Sequence, residues 1–194
     1  RNLVPNSGLR RLLEDHLEFS QLEDAPIRLH VVATDVLSGQ DVLLSSGGAV
    51  DAILASAAIL GVFRPVRVAG RDLIDGGVVT NTLLSHAVAA GADTVWVLPT
   101  GYSCALTESP RGALAMVLHG LALTVNQRLA VEVEHYEGAM DLRVVPPLRP
   151  IRISPVDLSH SAELIEGSHR STRDWPESRH PTIGHAALVE PHHH

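Results

Sequence analysis

The chain reads LIDGGVVTN from Leu73 to Asn81, which places one carboxylate, that of Asp75, between an apolar run and two glycines. The apolar run predicts the end of a buried strand. Gly76 and Gly77 permit a sharp turn after it, because glycine has no Cβ atom. In α/β proteins, a polar side chain at the end of a strand faces the crevice in which ligands bind. Asp75 is therefore the first candidate for chemistry, and the alternative is a turn aspartate that caps backbone amides.

Outward from this stretch, apolar residues follow strand-like and helix-like periods in alternating segments. Turns at Ser38-Gly39 and Ala69-Gly70 predict that two strands are each followed by a returning strand. The alternation predicts an α/β fold, a three-layer sandwich with a parallel-rich central sheet flanked by helices. We expect a last helix that Asp157 or Ser159 caps and that runs to about Trp175. The other expected elements are strands at 29–35, 42–45, 66–68, 72–74, 94–98, 142–145 and 151–153, and helices at 7–19, 49–58, 82–90 and 111–139.

The composition narrows the classes of function. Of the 194 residues, 45% are hydrophobic, which is enough for one packed core. The formal net charge of −7 argues against a nucleic-acid partner, which would require a basic face. The charge leaves open a contact with a lipid surface, where apolar area dominates binding. Cys104 is the only cysteine, so no intrachain disulfide forms, and no apolar run reaches the length that crosses a bilayer.

The order of segments around Asp75 resembles the second half of the patatin-like phospholipase family. Ser56–Pro65 reads SAAILGVFRP and stands where that family ends a helix in a Ser-x-Ala-x-Pro-Gly-x-Phe-x-Pro segment. Leu60 departs from this pattern, because the family usually has proline at its position. The Asp-Gly-Gly of residues 75–77 then matches the segment that carries the family's catalytic aspartate. The resemblance continues through the predicted helix and strand at 82–98 and the last helix, to Trp175.

The resemblance implies a patatin-like fold that is incomplete at its N-terminal side. Residues 1–176 would be the C-terminal portion of the domain, and 177–194 a flexible tail that ends in tag histidines. The family's serine nucleophile sits in a Gly-x-Ser-x-Gly elbow after a glycine-rich oxyanion loop, and neither motif occurs in these 194 residues. The resemblance further implies a bacterial-type protein that is cytoplasmic or peripheral to a membrane.

The implied activity is that of a lipid acyl hydrolase, of phospholipase or esterase type, that uses a Ser-Asp dyad. Asp75 would be the base, within about 2.6–3.2 Å of a serine that lies outside this chain. Gly76 and Gly77 would shape its turn, and Asn81 and His86 would be neighbours of the site. No metal or organic cofactor is needed, because backbone amides hold the oxyanion. The expected partners are a lipid or ester substrate and a companion N-terminal segment or a second copy of the chain.

Two alternatives to this hydrolase remain open. The first is a non-catalytic module, derived from the same fold, that binds lipid or protein. The second is an independent hydrolase that uses Ser103, which follows a predicted strand in the sequence GYSCA. A nucleophile elbow requires strand, turn and helix in immediate succession, whereas Pro99 and Thr100 intervene here. Ser103 is therefore interpreted as a loop serine and Cys104 as a structural thiol.

Three further patterns favour structural roles. The histidines are scattered, with no His-x-x-x-His pair on one helix face, so they do not predict a metal site. Gly47-Gly48 lacks the lysine and the serine or threonine of a phosphate-binding loop, and we interpret it as a turn. Thr34-Asp35 ends a predicted strand, where a cap of the following turn is the expected role.

Overall fold

The computed structural model describes residues 4–80, 82–100, 106, 108–145, 147–148, 151, 153 and 157–175. The chain forms two compact units, Arg1–Leu83 and Leu84–His194. The predicted tail at 177–194 lies outside the described residues. The predicted extent of the domain, 1–176, stays a prediction.

The described residues of the first unit form two helices and four strands. In chain order they are α1 (Ser7–His16), β1 (Val31–Asp35), β2 (Asp41–Leu44), α2 (Ala49–Ser56), β3 (Val66–Val68) and β4 (Arg71–Asp75). Short 3-10 turns lie at Leu22–Asp24 and directly after β4, at Gly76–Val78. All of the strands expected in this unit are present, with ends that differ from the prediction by at most two residues.

The four strands form one sheet in the order β2-β1-β4-β3, and all three pairings are antiparallel. The expectation of a parallel-rich sheet is therefore wrong for this unit. Parallel strands need a crossover of a dozen or more residues, whereas only residues 36–40 join β1 to β2 and only Ala69-Gly70 joins β3 to β4. Ala69 and Gly70 have φ angles of 48° and 81°, which suit a mirror-image two-residue hairpin turn.

Helix α2 covers one face of this sheet. The buried cluster joins Leu54, Ala55 and Ala58 to Ala33 of β1 and Leu73 of β4. The small alanines let the helix approach the strands closely. Full burial of a leucine such as Leu54 or Leu73 contributes about 1.5–3 kcal/mol to folding. The core therefore anchors β4 directly before the sequence motif that follows it.

The second unit contains α3 (Leu84–Ala89), β5 (Thr94–Val97), α4 (Ala113–Tyr136), β6 (Asp141–Val144) and α5 (Ser161–Arg173), with a 3-10 turn at Leu158–His160 before α5. Strands β5 and β6 pair in parallel, because α4 provides the long connection that a parallel pair needs. Trp175 stacks edge-on against Trp96 of β5, with ring centroids 6.4 Å apart. The predicted strand at 151–153 is wrong at Ile151 and Ile153, neither of which lies in a strand. The nearby prolines remove the amide donors that such a strand would need.

Helix α4 is long and apolar. An 18-residue window has a mean hydropathy of 1.3, and only 17% of that window is buried. By length and composition alone, this helix could cross a membrane. The sequence contains no uninterrupted apolar run of that length, because polar residues interrupt the helix. Such a helix is weak evidence of a span, since helices of soluble proteins also pass this test. One face packs on the strands through Leu129, Ala130 and Val133, whereas the large apolar side chains of another face are exposed.

Candidate active site at the end of strand β4

Asp75 is the last residue of β4, and three segments hold its backbone. In the sheet it lies opposite Ala33 of the neighbouring strand β1. Its carbonyl accepts a 3.0 Å hydrogen bond from the hydroxyl of Thr34, which is buried. Its amide donates a 3.1 Å hydrogen bond to the carbonyl of Ala58, just after α2. The side chain of Asp75 therefore starts from a rigid position.

The two oxygens of the Asp75 carboxylate differ in their contacts. Oδ1 accepts a 2.7 Å hydrogen bond from the amide of Gly77, so Asp75 caps the 3-10 turn that follows β4. The alternative interpretation of Asp75 as a turn cap is thus confirmed, but it uses only one oxygen. Within the described part of the chain, Oδ2 has no hydrogen-bond partner and can accept a proton.

Burial sets the proton affinity of this group. The side chain is half-buried, and loss of hydration raises the pKa of the Asp75 carboxyl above its ordinary value of 3.8. The hydrogen bond from Gly77 lowers the same pKa, but by less than burial raises it. The site therefore holds a carboxylate that is a stronger base than an exposed aspartate.

Gly76 is needed because its neighbours leave no room for a side chain. The sequence pattern instead predicted that the glycines were needed for the backbone angles of a sharp turn. Both glycines lie in a 3-10 turn, a conformation that residues with side chains also adopt, and φ of Gly76 is outside the left-handed region. A Cβ atom on Gly76 would lie 2.6 Å from Cγ1 of Val32 and closer still to the Val32 carbonyl oxygen. Gly76 thus lets the turn rest against the backbone of β1. No local sequence pattern predicts that Val32 is a neighbour of Gly76.

The described structure does not test whether the other predicted site residues lie near Asp75. His86 is half-buried on α3, which belongs to the second unit, so its place near Asp75 stays a prediction. Asn81, Ser103 and Cys104 lie outside the described residues. The carbonyl of Ala58 is a further contact of Asp75, which was not predicted from the sequence. The signal was present, because Ala58 belongs to the Ser56–Pro65 segment that carries the resemblance.

Asp35 has the structural role that was predicted for it. Its Oδ1 accepts 2.9 Å hydrogen bonds from the amides of Leu37 and Ser38, which closes the turn between β1 and β2. The hydrogen bond from Ser38 is the main cause that lowers the pKa of the Asp35 carboxyl. Asp35 thus resembles Asp75 in position, at a strand end before a turn, but its pKa moves in the opposite direction.

Gly47 confirms the interpretation of the Gly47-Gly48 pair as a turn. Its φ of 94° is one that residues with side chains rarely adopt, and its amide donates a 2.8 Å hydrogen bond to the carboxylate of Glu23. No group of three or more His, Cys, Asp or Glu side chains that could hold a metal occurs among the described residues. That the reaction needs no cofactor stays a prediction.

Comparison with known proteins supports the resemblance over part of the chain. Residues 1–88 match the family model for patatin-like phospholipase, and this range contains both Ser56–Pro65 and the Asp-Gly-Gly motif. Over 72 residues the chain is 40% identical to uncharacterized NTE family proteins of Mycobacterium bovis and Mycobacterium tuberculosis. The aligned region is 37% of this chain and one fifth, 20%, of the length of those relatives. The resemblance of residues 89–175 stays a prediction. Residues 1–88, which hold the candidate base and its turn, are therefore similar to the patatin-like phospholipase family.

Proposed function

We propose that this chain supplies the general base of a lipid acyl hydrolase of phospholipase or esterase type. The observation that carries the proposal is the carboxylate of Asp75. One of its oxygens is fixed by Gly77, the other has no hydrogen-bond partner among the described residues, and the residue lies in the segment that matches the family model. A segment outside this chain would provide the serine and the oxyanion amides.

In the proposed reaction, Oδ2 of Asp75 accepts the hydroxyl proton of the serine as the serine oxygen attacks the ester carbonyl. Backbone amides stabilise the resulting oxyanion. The carbonyl re-forms, the alcohol leaves with the proton from Asp75, and an acyl-serine remains. Asp75 then takes a proton from water, which attacks the acyl-serine and releases the fatty acid. Its proton returns to the serine.

The raised pKa of Asp75 supports this role. General-base catalysis is most efficient when the pKa of the base lies near the working pH, and burial moves an aspartate in that direction. The hydrogen bond from Gly77 fixes the orientation of the carboxylate at the same time. We further propose Asn81 and His86 as polar neighbours of the assembled site.

The proposal includes a companion, either an N-terminal segment or a second copy of the chain. Strands β5 and β6 form a sheet of only two strands in the described structure, and they are parallel. Parallel sheets occur almost only with further strands and covered faces, and open edges tend to pair with other chains. Added strands at β5 or β6 would satisfy these edges.

The first test identifies the polypeptides in the purified protein. A denaturing gel and intact-mass analysis show whether a second chain with a Gly-x-Ser-x-Gly elbow accompanies the 20.8 kDa species. A fluorophosphonate probe, which labels activated serines, is then applied together with an assay of short-chain ester hydrolysis. Labelling of the second chain supports the hydrolase. A single 20.8 kDa species that is inert in both assays would favour the alternative, a non-catalytic lipid- or protein-binding module.

The second test concerns the base itself. Asp75→Asn is expected to reduce ester hydrolysis by about two to four orders of magnitude, because the amide cannot accept the serine proton. Asp35→Asn is the matched control, since Asp35 also caps a turn at a strand end. Unchanged hydrolysis in Asp75→Asn would refute the role of Asp75. Loss of hydrolysis in Ser103→Ala would instead support the Ser103 alternative.

A further inference from the structure

A groove of about 400 Å³ on the first unit is lined by more basic than acidic side chains. Three arginines line it, Arg10, Arg64 and Arg67, together with a single carboxylate, that of Asp51. Such an excess of basic side chains is unexpected on a chain with a formal net charge of −7. We call this surface the arginine groove.

The three arginines differ in how far their charge is neutralised. Arg10 forms ion pairs with Asp51 inside the groove and with Glu14 one helical turn further along α1. Arg67 lies 3.5 Å from a carboxylate oxygen of Asp72. Arg64 is exposed and forms no ion pair with any carboxylate of the described residues. Arg64 therefore presents the uncompensated charge of the groove.

Hydrogen bonds between the residues at the start of α1 and the segment before β3 hold the groove in shape. The side chain of Asn6 donates a 3.1 Å hydrogen bond to the carbonyl of Arg64 and accepts one of 3.2 Å from its amide. The amide of Val4 adds a 3.2 Å hydrogen bond to the carbonyl of Val62. These bonds fix the backbone of Arg64 against the start of α1. A preformed site loses less entropy when it binds a ligand.

The arginine groove lies toward the same end of the sheet as Asp75. Strand β3 pairs with β4 so that Val66 is opposite Leu73. The residues before Val66, which include Arg64, therefore extend toward the end of β4 where Asp75 lies. The Ala58 carbonyl, which binds the amide of Asp75, belongs to the same connection between α2 and β3.

We propose that the arginine groove binds a phosphate group, with Arg64 as its principal contact. A guanidinium group presents paired donors that match two phosphate oxygens, and the pairing is strongest where no carboxylate competes. A phosphate of a lipid headgroup and free phosphate share this chemistry. We further propose that this phosphate belongs to the hydrolysed substrate, which rests on the function proposed above.

The test measures binding without turnover. The 194-residue protein is titrated with inorganic phosphate by calorimetry, and it is co-sedimented with phosphatidylcholine vesicles with and without phosphatidic acid. Arg64→Ala is expected to weaken binding about tenfold, the effect of losing one charge-assisted contact. Arg64→Lys should bind with intermediate affinity, because it keeps the charge but loses the paired donors. Arg11→Ala, an exposed arginine outside the groove, is the matched control.

Each outcome has a defined meaning. Binding of inorganic phosphate that depends on Arg64 supports the proposal, and so does binding of only the phosphatidic acid vesicles, which assigns the phosphate to a lipid headgroup. No binding in either arm, or equal loss in Arg11→Ala and Arg64→Ala, overturns it. The Asn6 hydrogen bonds use the backbone of Arg64, so a side-chain change should leave the fold intact, as circular dichroism can verify. Because no ester is cleaved, absence of hydrolysis does not affect this result.

Discussion

The amide of Asp75 donates a hydrogen bond to the carbonyl of Ala58, 17 residues earlier in the chain. The bond joins the two sequence segments that carry the family resemblance, the end of the helix motif and the Asp-Gly-Gly turn. The segment at the end of the helix motif therefore fixes the backbone of the proposed base. A change in either segment would alter the position of the Asp75 carboxylate.

Gly76→Ala is expected to destabilise the protein by about 1–3 kcal/mol, because the added methyl group would overlap the backbone of Val32. Urea unfolding followed by circular dichroism measures the change. Gly8→Ala is the matched control: Gly8 lies in α1, has an ordinary φ, and has open space where the methyl group would go. The control should be neutral or slightly stabilising. Equal stability of Gly76→Ala and the natural chain would contradict the packing described for the turn.

Asp75→Asn is expected to raise the free energy of unfolding at neutral pH. The folded-state pKa of Asp75 is raised, so the folded protein binds the proton more tightly than the unfolded chain does. Its contribution to stability is complete below the ordinary pKa of 3.8 and is lost as the pH rises through the higher folded-state value. The asparagine is neutral at every pH and avoids this loss, while its oxygen still accepts from Gly77. The gain should therefore disappear as the pH falls toward 3.8.

Asp35→Asn should show the opposite sign and so controls for the previous measurement. The pKa of Asp35 is lowered, so its contribution to stability is present above the ordinary value of 3.8 and is lost as the pH falls through the lower folded-state value. Thermal unfolding of both variants at a series of pH values gives the comparison. A shift of the same sign in the two variants at neutral pH would show that the environments of these carboxylates do not differ as described.

Thr34→Val is expected to lower the free energy of unfolding by about 0.5–1.5 kcal/mol, because it removes the buried hydroxyl that donates to the carbonyl of Asp75. Valine has nearly the same shape, so the change tests the hydrogen bond more than the packing. Thr94→Val is the control, since the hydroxyl of Thr94 donates to Asp141 at the surface and its loss should cost less. Chemical denaturation distinguishes the two variants. If both variants lose the same free energy of unfolding, the hydrogen bond to Asp75 contributes no more to stability than a surface hydrogen bond does.

Asn6→Asp is expected to weaken the arginine groove. Aspartate can still accept from the amide of Arg64 but cannot donate to its carbonyl, so one of the two bonds is lost. Phosphate binding should fall while the fold is kept, and calorimetry with circular dichroism measures both. Asn6→Ala removes both bonds without adding a carboxylate to the groove, so weaker binding in this variant as well would show that the bonds themselves hold the groove in shape. Unchanged binding in both variants would mean that the shape of the groove does not depend on Asn6.

The sequence predicted the local structure of the first unit better than its sheet. Apolar runs and turn residues located β1 to β4 and placed Asp75 at a strand end, because these features depend on neighbours along the chain. The two returning strands were predicted correctly, but the expectation of a parallel-rich sheet was wrong, because β1 and β4 also pair antiparallel and this pairing joins segments that are distant in the chain. The steric need for Gly76 depends on Val32, 44 residues away, and the clamp of Asn6 on Arg64 spans 58 residues. No local pattern reveals such contacts.

Only one oxygen of the Asp75 carboxylate caps the turn, and this has an evolutionary consequence. Asparagine differs from aspartate by a single base change in the genetic code, and it preserves the oxygen that caps the turn. One nucleotide substitution could therefore silence the proposed base and leave the fold, the family motif and the arginine groove in place. Relatives that carry Asn-Gly-Gly at this position would be expected to fold normally and to bind ligands without hydrolysing them.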